Sequence, residues 1–163
     1  KDLVDAALAF ATPQMKKEKI RLEKRLPEES LRVHADPLQI EQVILNLVNN
    51  SINALMGQDG EKRIIIETFR EGEIVKTRLS DNGPGIPEEF VPNLFEPFHT
   101  TRDEGTGLGL SLCRQFLESH RGEIHYRRNE QGGATFEFTI PSSSSELAEQ
   151  TPAQVTSAVN SDA

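Results

Sequence analysis

Asn46, Asn50 and Asn53 recur in one stretch of the chain, with Asn49 beside them. On a helix at ~100° per residue the first three fall within about 60° of one another. A solvated helix face normally carries Glu, Lys or Gln; asparagine is a poorer helix former because its amide competes for backbone hydrogen bonds. A stripe that costs helix stability without a packing gain points to a site, the plainer alternative being a polar face that happens to carry Asn. An asparagine carbonyl is a hard, neutral oxygen suited to Mg²⁺, an ion that keeps several waters and takes other ligands from phosphates. A second group is Asp81, which follows the segment Ile74 to Ser80 on the parity of Val75, Thr77 and Leu79. An acid on an apolar strand face needs a donor or carries a desolvation cost, and a purine amino group is such a donor. Asn82-Gly83-Pro84-Gly85 then forces a turn whose glycines permit close backbone approach. Most Asp-x-Gly-x-Gly runs are only turns, so this signal is weak alone. The third group is Gly105-Thr106-Gly107-Leu108-Gly109-Leu110 at a helix start, where free N–H groups and the dipole favour phosphate. A glycine hinge is the plainer reading. Neither a P-loop Lys-Ser/Thr nor a βαβ context for a dinucleotide fingerprint surrounds it.

These groups need elements to hold them. Asp36 as N-cap, Pro37 at the first position and Gln39 in a capping-box pattern predict a helix from Asp36 to Met56, with Gly57 as its C-cap. Ile40, Val43, Ile44, Leu47 and Leu55 form its buried stripe. A helix is expected over Leu3–Glu18 with Leu3, Ala7, Phe10 and Ala11 on one face, and Pro13 puts its second half in question. Another is expected from Leu108 to His120, ended by Gly122. Strands are predicted at Ile20–Leu26, Arg32–His34, Ile64–Phe69, Ile74–Ser80, Glu123–Arg128 and Ala134–Ile140, with turns at Glu71-Gly72 and Gln131-Gly132-Gly133. An irregular stretch is expected from about Pro92 to Gly105. Together these give an α+β, two-layer α/β sandwich with a mixed, mostly antiparallel sheet against three helices. Residues 142–163 are rich in Ser, Ala, Gln and Thr and lack aromatics, so they are expected to be a disordered tail on a folded domain of residues 1–141.

Composition narrows the function. The 163 residues carry 18 Lys plus Arg against 26 Asp plus Glu, a net charge of −8. That balance disfavours non-specific nucleic-acid binding and direct contact with an anionic membrane surface. A single cysteine, Cys113, permits neither an intrachain disulfide nor a CxxC metal site, and it reads as packing rather than redox chemistry. No apolar run approaches the ~20 residues of a membrane span and no signal-peptide pattern opens the chain, so a cytoplasmic setting is expected. The start at Lys1 suggests a piece of something longer.

Taken in order, the Asn-rich helix, DNGPGIP, LFEPFHTT, GTGLGL and GGATF resemble the ATP-binding catalytic domain of sensor histidine kinases, within the GHKL superfamily and its Bergerat ATP-binding fold. NNSINAL and FEPFHTT are similar to the nitrogen-regulation-type subfamily. The resemblance implies ATP as nucleotide and Mg²⁺ as its ion, with Asn50 the metal ligand and Asn46 supporting the metal–phosphate assembly. It assigns Asp81 to the adenine amino group and places Gly83, Gly85 and Ile86 beside the base. Phe95 and Phe98 would belong to a lid from about Phe90 to Thr106 that carries Thr100, Thr101 and Arg102. Gly105, Gly107, Leu108 and Gly109 would hinge that lid and meet the phosphates. Asn53 stands where many relatives carry a basic phosphate contact. His99 replaces a common aromatic, and Ala134 replaces a Ser or Thr beside the adenine aspartate, so a hydrogen bond is expected to be missing there. Gly132 and Gly133 match the last glycine box.

ATPases of the same superfamily place a Glu base one turn before the metal-binding Asn. This chain has Asn46 there, and an amide cannot take a proton from water. Glu41 sits about 140° around the helix from Asn46. The resemblance therefore implies a kinase whose nucleophile is a histidine on an upstream dimerisation domain, with a response regulator as the later acceptor. His34, His99, His120 and His125 fit no phosphoacceptor pattern, so this chain alone should not phosphorylate itself. Two other readings are a degenerate GHKL domain that binds nucleotide or a partner without catalysis, and a GHKL ATPase.

Overall fold

The computed structural model describes residues 1–99 and 107–143. Chain order is α1 (Asp2–Lys17), β1 (Ile20–Arg25), α2 (Pro37–Leu55), β2 (Lys62–Glu71), β3 (Ile74–Asp81), a 3₁₀ helix (Glu88–Asn93), α3 (Gly109–Ser119), β4 (Glu123–Arg128) and β5 (Ala134–Pro141). The strands form a five-stranded sheet in the order β1-β2-β3-β5-β4. Only β1 and β2 run parallel; the other neighbours are antiparallel. The helices cover one face, as the α+β sandwich reading expects.

The β3 register decides which residues meet the helices. Val75, Thr77, Leu79 and Asp81 are buried in strict alternation, while Lys76, Arg78 and Ser80 point to the far face. On that far face Arg78 bridges Glu67 at 2.9 Å and Glu137 at 2.7 Å across three strands. On the helical side Ile64, Ile66, Leu79, Phe136 and Phe138 join Val43, Ile44, Leu47, Leu55, Cys113 and Leu117 in one core.

α2 starts as its sequence predicts, with the Asp36 carboxylate accepting from the Leu38 N–H at 2.9 Å. The reciprocal half of the capping box is different. The Asp36 N–H donates to His120 Nε2 at 2.9 Å, while Gln39 Oε1 accepts from Ser119 Oγ at 3.5 Å. His120 Nδ1 donates to the Phe116 carbonyl at 2.6 Å, so its ring ties the end of α3 to the start of α2.

The helix expected over Leu3–Glu18 forms, and three other expectations are corrected. α1 runs unbroken through Pro13, and the carbonyl that loses its partner there belongs to Ala9, on the exposed face. Its buried residues are Val4, Ala7, Leu8, Ala11 and Met15, and Phe10 is 74% exposed rather than in the core. Arg32–His34 is not a strand; only an isolated bridge between Val33 and Ser142 forms. The irregular stretch is preceded and overlapped by the 3₁₀ helix, which ends at Asn93. The tail beyond residue 143 lies outside the described residues. Among the described residues, no helix is long and apolar enough to cross a membrane.

Candidate functional site

A cleft of about 370 Å³ opens between α2, the end of β3, the start of β5 and the segment leading to α3. Asn46, Asn49, Asn50 and Asn53 line one wall. The asparagine stripe therefore faces the cleft while Ile40, Val43, Ile44, Leu47 and Leu55 face the core, a division that the 3.6-residue period demands. Asn46 is held in place: Gln42 Nε2 donates to its Oδ1 at 2.9 Å, and its Nδ2 leans toward the Gly109 carbonyl at 3.4 Å and Cys113 Sγ at 3.7 Å. Burial pushes the Cys113 thiol up to about 11, so it is an inert support under the amide.

Asp81 forms the opposite, buried end and is only 4% exposed. Ser51 Oγ donates to its Oδ2 at 2.9 Å. The N–H groups of Gly83 and Ala134 donate to its Oδ1 at 2.9 and 3.2 Å. Burial raises the carboxyl above its ordinary value, and the same three donors pull it back down. The hydrogen bond expected to be missing at Ala134 is thus supplied otherwise: its own backbone N–H serves, and Ser51 brings a hydroxyl from the other side. The Thr135 side chain faces away and bonds Ser80 Oγ at 2.8 Å.

The glycines divide by role. Gly85 lines the cleft at φ +72, and a Cβ there would stand 2.6 Å from the Gly132 carbonyl. Gly133 packs so tightly that a Cβ would lie 2.0 Å from the Asp81 carbonyl. Gly83 is buried against Ala54 and serves chiefly as the amide under Asp81. Ile86 lines the cleft and its N–H donates to Tyr126 Oη at 3.1 Å. Phe98 N–H donates to the Gly107 carbonyl at 3.0 Å, joining the chain on either side of residues 100–106. Thr100, Thr101, Arg102, Gly105 and Thr106 lie outside the described residues. Gly107, Gly109 and His99 line the cleft, and Leu108 is the residue before α3, 42% exposed. Phe95 packs edge-on against Phe136, whereas Phe98 is 78% exposed.

Four residues at or behind the cleft were missed in the sequence: Gln42, Ser51, Tyr126 and Asn129. Asn129 Nδ2 donates to the Asp81 and Ala134 carbonyls at 2.9 and 3.2 Å, and its Oδ1 accepts from Gly133 N–H at 2.9 Å. Ser51 carried a readable signal. It occupies the i+4 ridge Val43, Leu47, Ser51, Leu55, where a polar side chain among buried aliphatics demands a partner.

A sandwich with a polar cleft on one helix, a buried carboxylate at one end and glycines around the rim is the frame of a nucleotide-binding domain. The family described as "Histidine kinase-, DNA gyrase B-, and HSP90-like ATPase" matches residues 35–144. The sensor protein FixL of Bradyrhizobium diazoefficiens is 34% identical over 139 residues, covering 85% of this chain and 28% of FixL. The catalytic domain of histidine kinase ThkA superposes with a TM-score of 0.74 at 38% identity, covering 86% of this chain and 90% of that domain. ThkA in complex with the response regulator TrrA superposes at 0.72 and 34% identity, covering 89% of this chain and 41% of that one. The chain belongs to the family, as an ATP-binding catalytic domain of the sensor histidine kinase type. It spans about a quarter of the length of the curated relatives it matches.

Proposed function

We propose that this domain binds ATP with the adenine amino group on Asp81, and that it presents the γ-phosphoryl to a histidine of an upstream dimerisation domain. The single observation that carries this is the cleft itself, with asparagine amides along one wall and a buried carboxylate at its end. Gly83, Gly85 and Ile86 would flank the base. Asn46 and Asn53 would face the phosphates together with Gly107, Leu108 and Gly109. Thr100, Thr101, Arg102 and Gly105 are proposed as the remaining phosphate contacts.

The donor set fits Mg²⁺. The wall offers neutral amide oxygens, and among the described residues no cluster of three or more His, Cys, Asp or Glu could cage an ion without phosphate. Asn50 would hold the ion, with phosphate oxygens and water as its other ligands. When bound, Mg²⁺ neutralises phosphate charge. The chain's own work is positioning: the cleft orients the nucleotide and Asn46 places an amide where a base would activate water. Glu41 is absent from the cleft lining. These features favour transfer to an outside nucleophile over hydrolysis. The form of NNSINAL and FEPFHTT supports the nitrogen-regulation-type subfamily, and a response regulator would receive the phosphoryl group in turn, on the cytoplasmic side.

The test is titration with a non-hydrolysable ATP analogue, with and without Mg²⁺, followed by radiolabelled ATP and an upstream histidine hairpin supplied in trans. Mg²⁺-dependent binding and labelling of the hairpin are expected. Binding that ignores Mg²⁺, with no labelling, would leave a degenerate domain. Rapid phosphate release without labelling would make it an ATPase.

A further inference from the structure

Asp81 must offer a lone pair to the cleft in one fixed direction, and three donors already converge on it. Two of them, the Gly83 and Ala134 amides, both bind Oδ1. They are backbone groups and hold that oxygen whatever the neighbouring side chains are. Oδ2 has a different partner. Among the described residues its donor is the Ser51 hydroxyl at 2.9 Å, from a side chain 1% exposed on the core-facing ridge of α2. Among the described residues no charged group meets the carboxylate, and the three donors that do are all neutral. A carboxylate held at one oxygen alone keeps freedom to twist about its Cβ–Cγ bond, and a donor on the second oxygen removes that freedom.

We infer that Ser51 is a positioning residue for base recognition: by fixing Oδ2 it aims the remaining lone pair of Asp81 at the exocyclic amino group of the nucleotide. This rests on the adenine reading of Asp81 given above. The position is one step from Asn50 along α2, so the same helix that presents the asparagine wall also sets the orientation of the base-reading acid. The inference also accounts for a polar residue on a ridge otherwise made of Val43, Leu47 and Leu55, where an aliphatic side chain would pack without needing a partner. A hydroxyl held only for packing would have no reason to act on one nucleotide and not another, so base dependence separates the two roles.

The experiment uses two probes, ATP and purine riboside triphosphate, which has the same ring and phosphates but lacks the 6-amino group. Binding of each in the presence of Mg²⁺ is measured for the wild type, Ser51→Ala, Asp81→Asn and the double variant, with thermal melts to confirm folding. Ser51→Ala is expected to weaken ATP roughly five- to tenfold, the size of one ordinary net hydrogen bond, since the acid is loosened rather than lost, and to leave purine riboside triphosphate within about twofold. In the Asp81→Asn background the Ser51→Ala loss on ATP should largely disappear. Equal losses on both probes would make Ser51 a packing residue and overturn the inference. No loss on either would show that the two amides alone orient Asp81, with the same consequence. If Asp81→Asn itself fails to discriminate between the probes, the adenine reading of Asp81 falls first. A Ser51→Thr variant, which keeps the hydroxyl, should retain the preference for ATP over the amino-free probe even where the added methyl lowers the melting temperature.

Discussion

The two ends of the cleft solve opposite problems. At the Asp81 end a charge is buried, and the protein meets it with three of its own donors, so the group is fixed before any ligand arrives. At the asparagine end the groups are neutral and line an open wall, and Asn46 is braced from behind by Gln42 and α3. A buried carboxylate without donors would protonate or destabilise the fold, so that end has to be built in advance. Amides carry no such penalty and can wait for an ion and its phosphates. Rigidity is therefore expected to govern which base is read, and the neutral wall to govern dependence on the ion.

The largest effect that would break this contrast is at Gly133. A Cβ there meets the Asp81 carbonyl at 2.0 Å, so Gly133→Ala should cost about 3 kcal/mol in urea denaturation through forced backbone movement. An unchanged midpoint would mean that the last turn is not packed onto Asp81 as described.

Next is Asp81→Asn, which should weaken an ATP analogue roughly 10- to 100-fold, since a hydrogen bond to a charged group is lost. The same variant should melt higher at neutral pH. The folded carboxyl titrates above its unfolded value, so ionisation costs stability as pH rises through that interval, and stability returns as pH falls. The Asn side chain has no such cost. The gap in melting temperature between variant and wild type should narrow on acidification; a gap that widens would reverse the sign of the burial argument.

Asn50→Ala acts at the other end. It should lower affinity roughly tenfold only when Mg²⁺ is present, a change the size of one ligand contact, and leave the metal-free affinity unaltered. Loss under both conditions would mean that the asparagine wall also shapes the base pocket. The smallest signal is at Cys113. Its thiol, buried and pushed up to about 11, should stay unreactive toward a thiol reagent near pH 8 until the fold opens. Fast modification of the native domain would show that the support beneath Asn46 is loose.

Most of the frame could be read from periodicity. The alternation in β3 and the stripe on α2 each follow from a single period, and the structure keeps both. The departures have a common cause, which is that tertiary partners are invisible to local pattern. Phe10 fits the spacing of a buried face, but α1, which packs on α2, buries Ala7 and Ala11 together with Val4, Leu8 and Met15 and leaves Phe10 outside. The capping box at Asp36 was half right, because His120, 84 positions away, reaches the N–H that Gln39 was expected to take. In the cleft, Asn46, Asn50, Asn53 and Asp81 stood out because each breaks a local rule. Asn129 breaks none: an Asn at a turn is ordinary, and only the folded sheet brings its amide to the Asp81 carbonyl.

The most direct test of the two-ended cleft is the amide spectrum of the isotope-labelled domain, titrated first with adenosine and then with an ATP analogue and Mg²⁺. The backbone amides of Gly83 and Ala134 should shift with adenosine alone, and the side-chain amides of Asn50 and Asn53 only once triphosphate and Mg²⁺ are added. Shifts at Asn50 and Asn53 with adenosine, or silence at Gly83 and Ala134 throughout, would contradict the account.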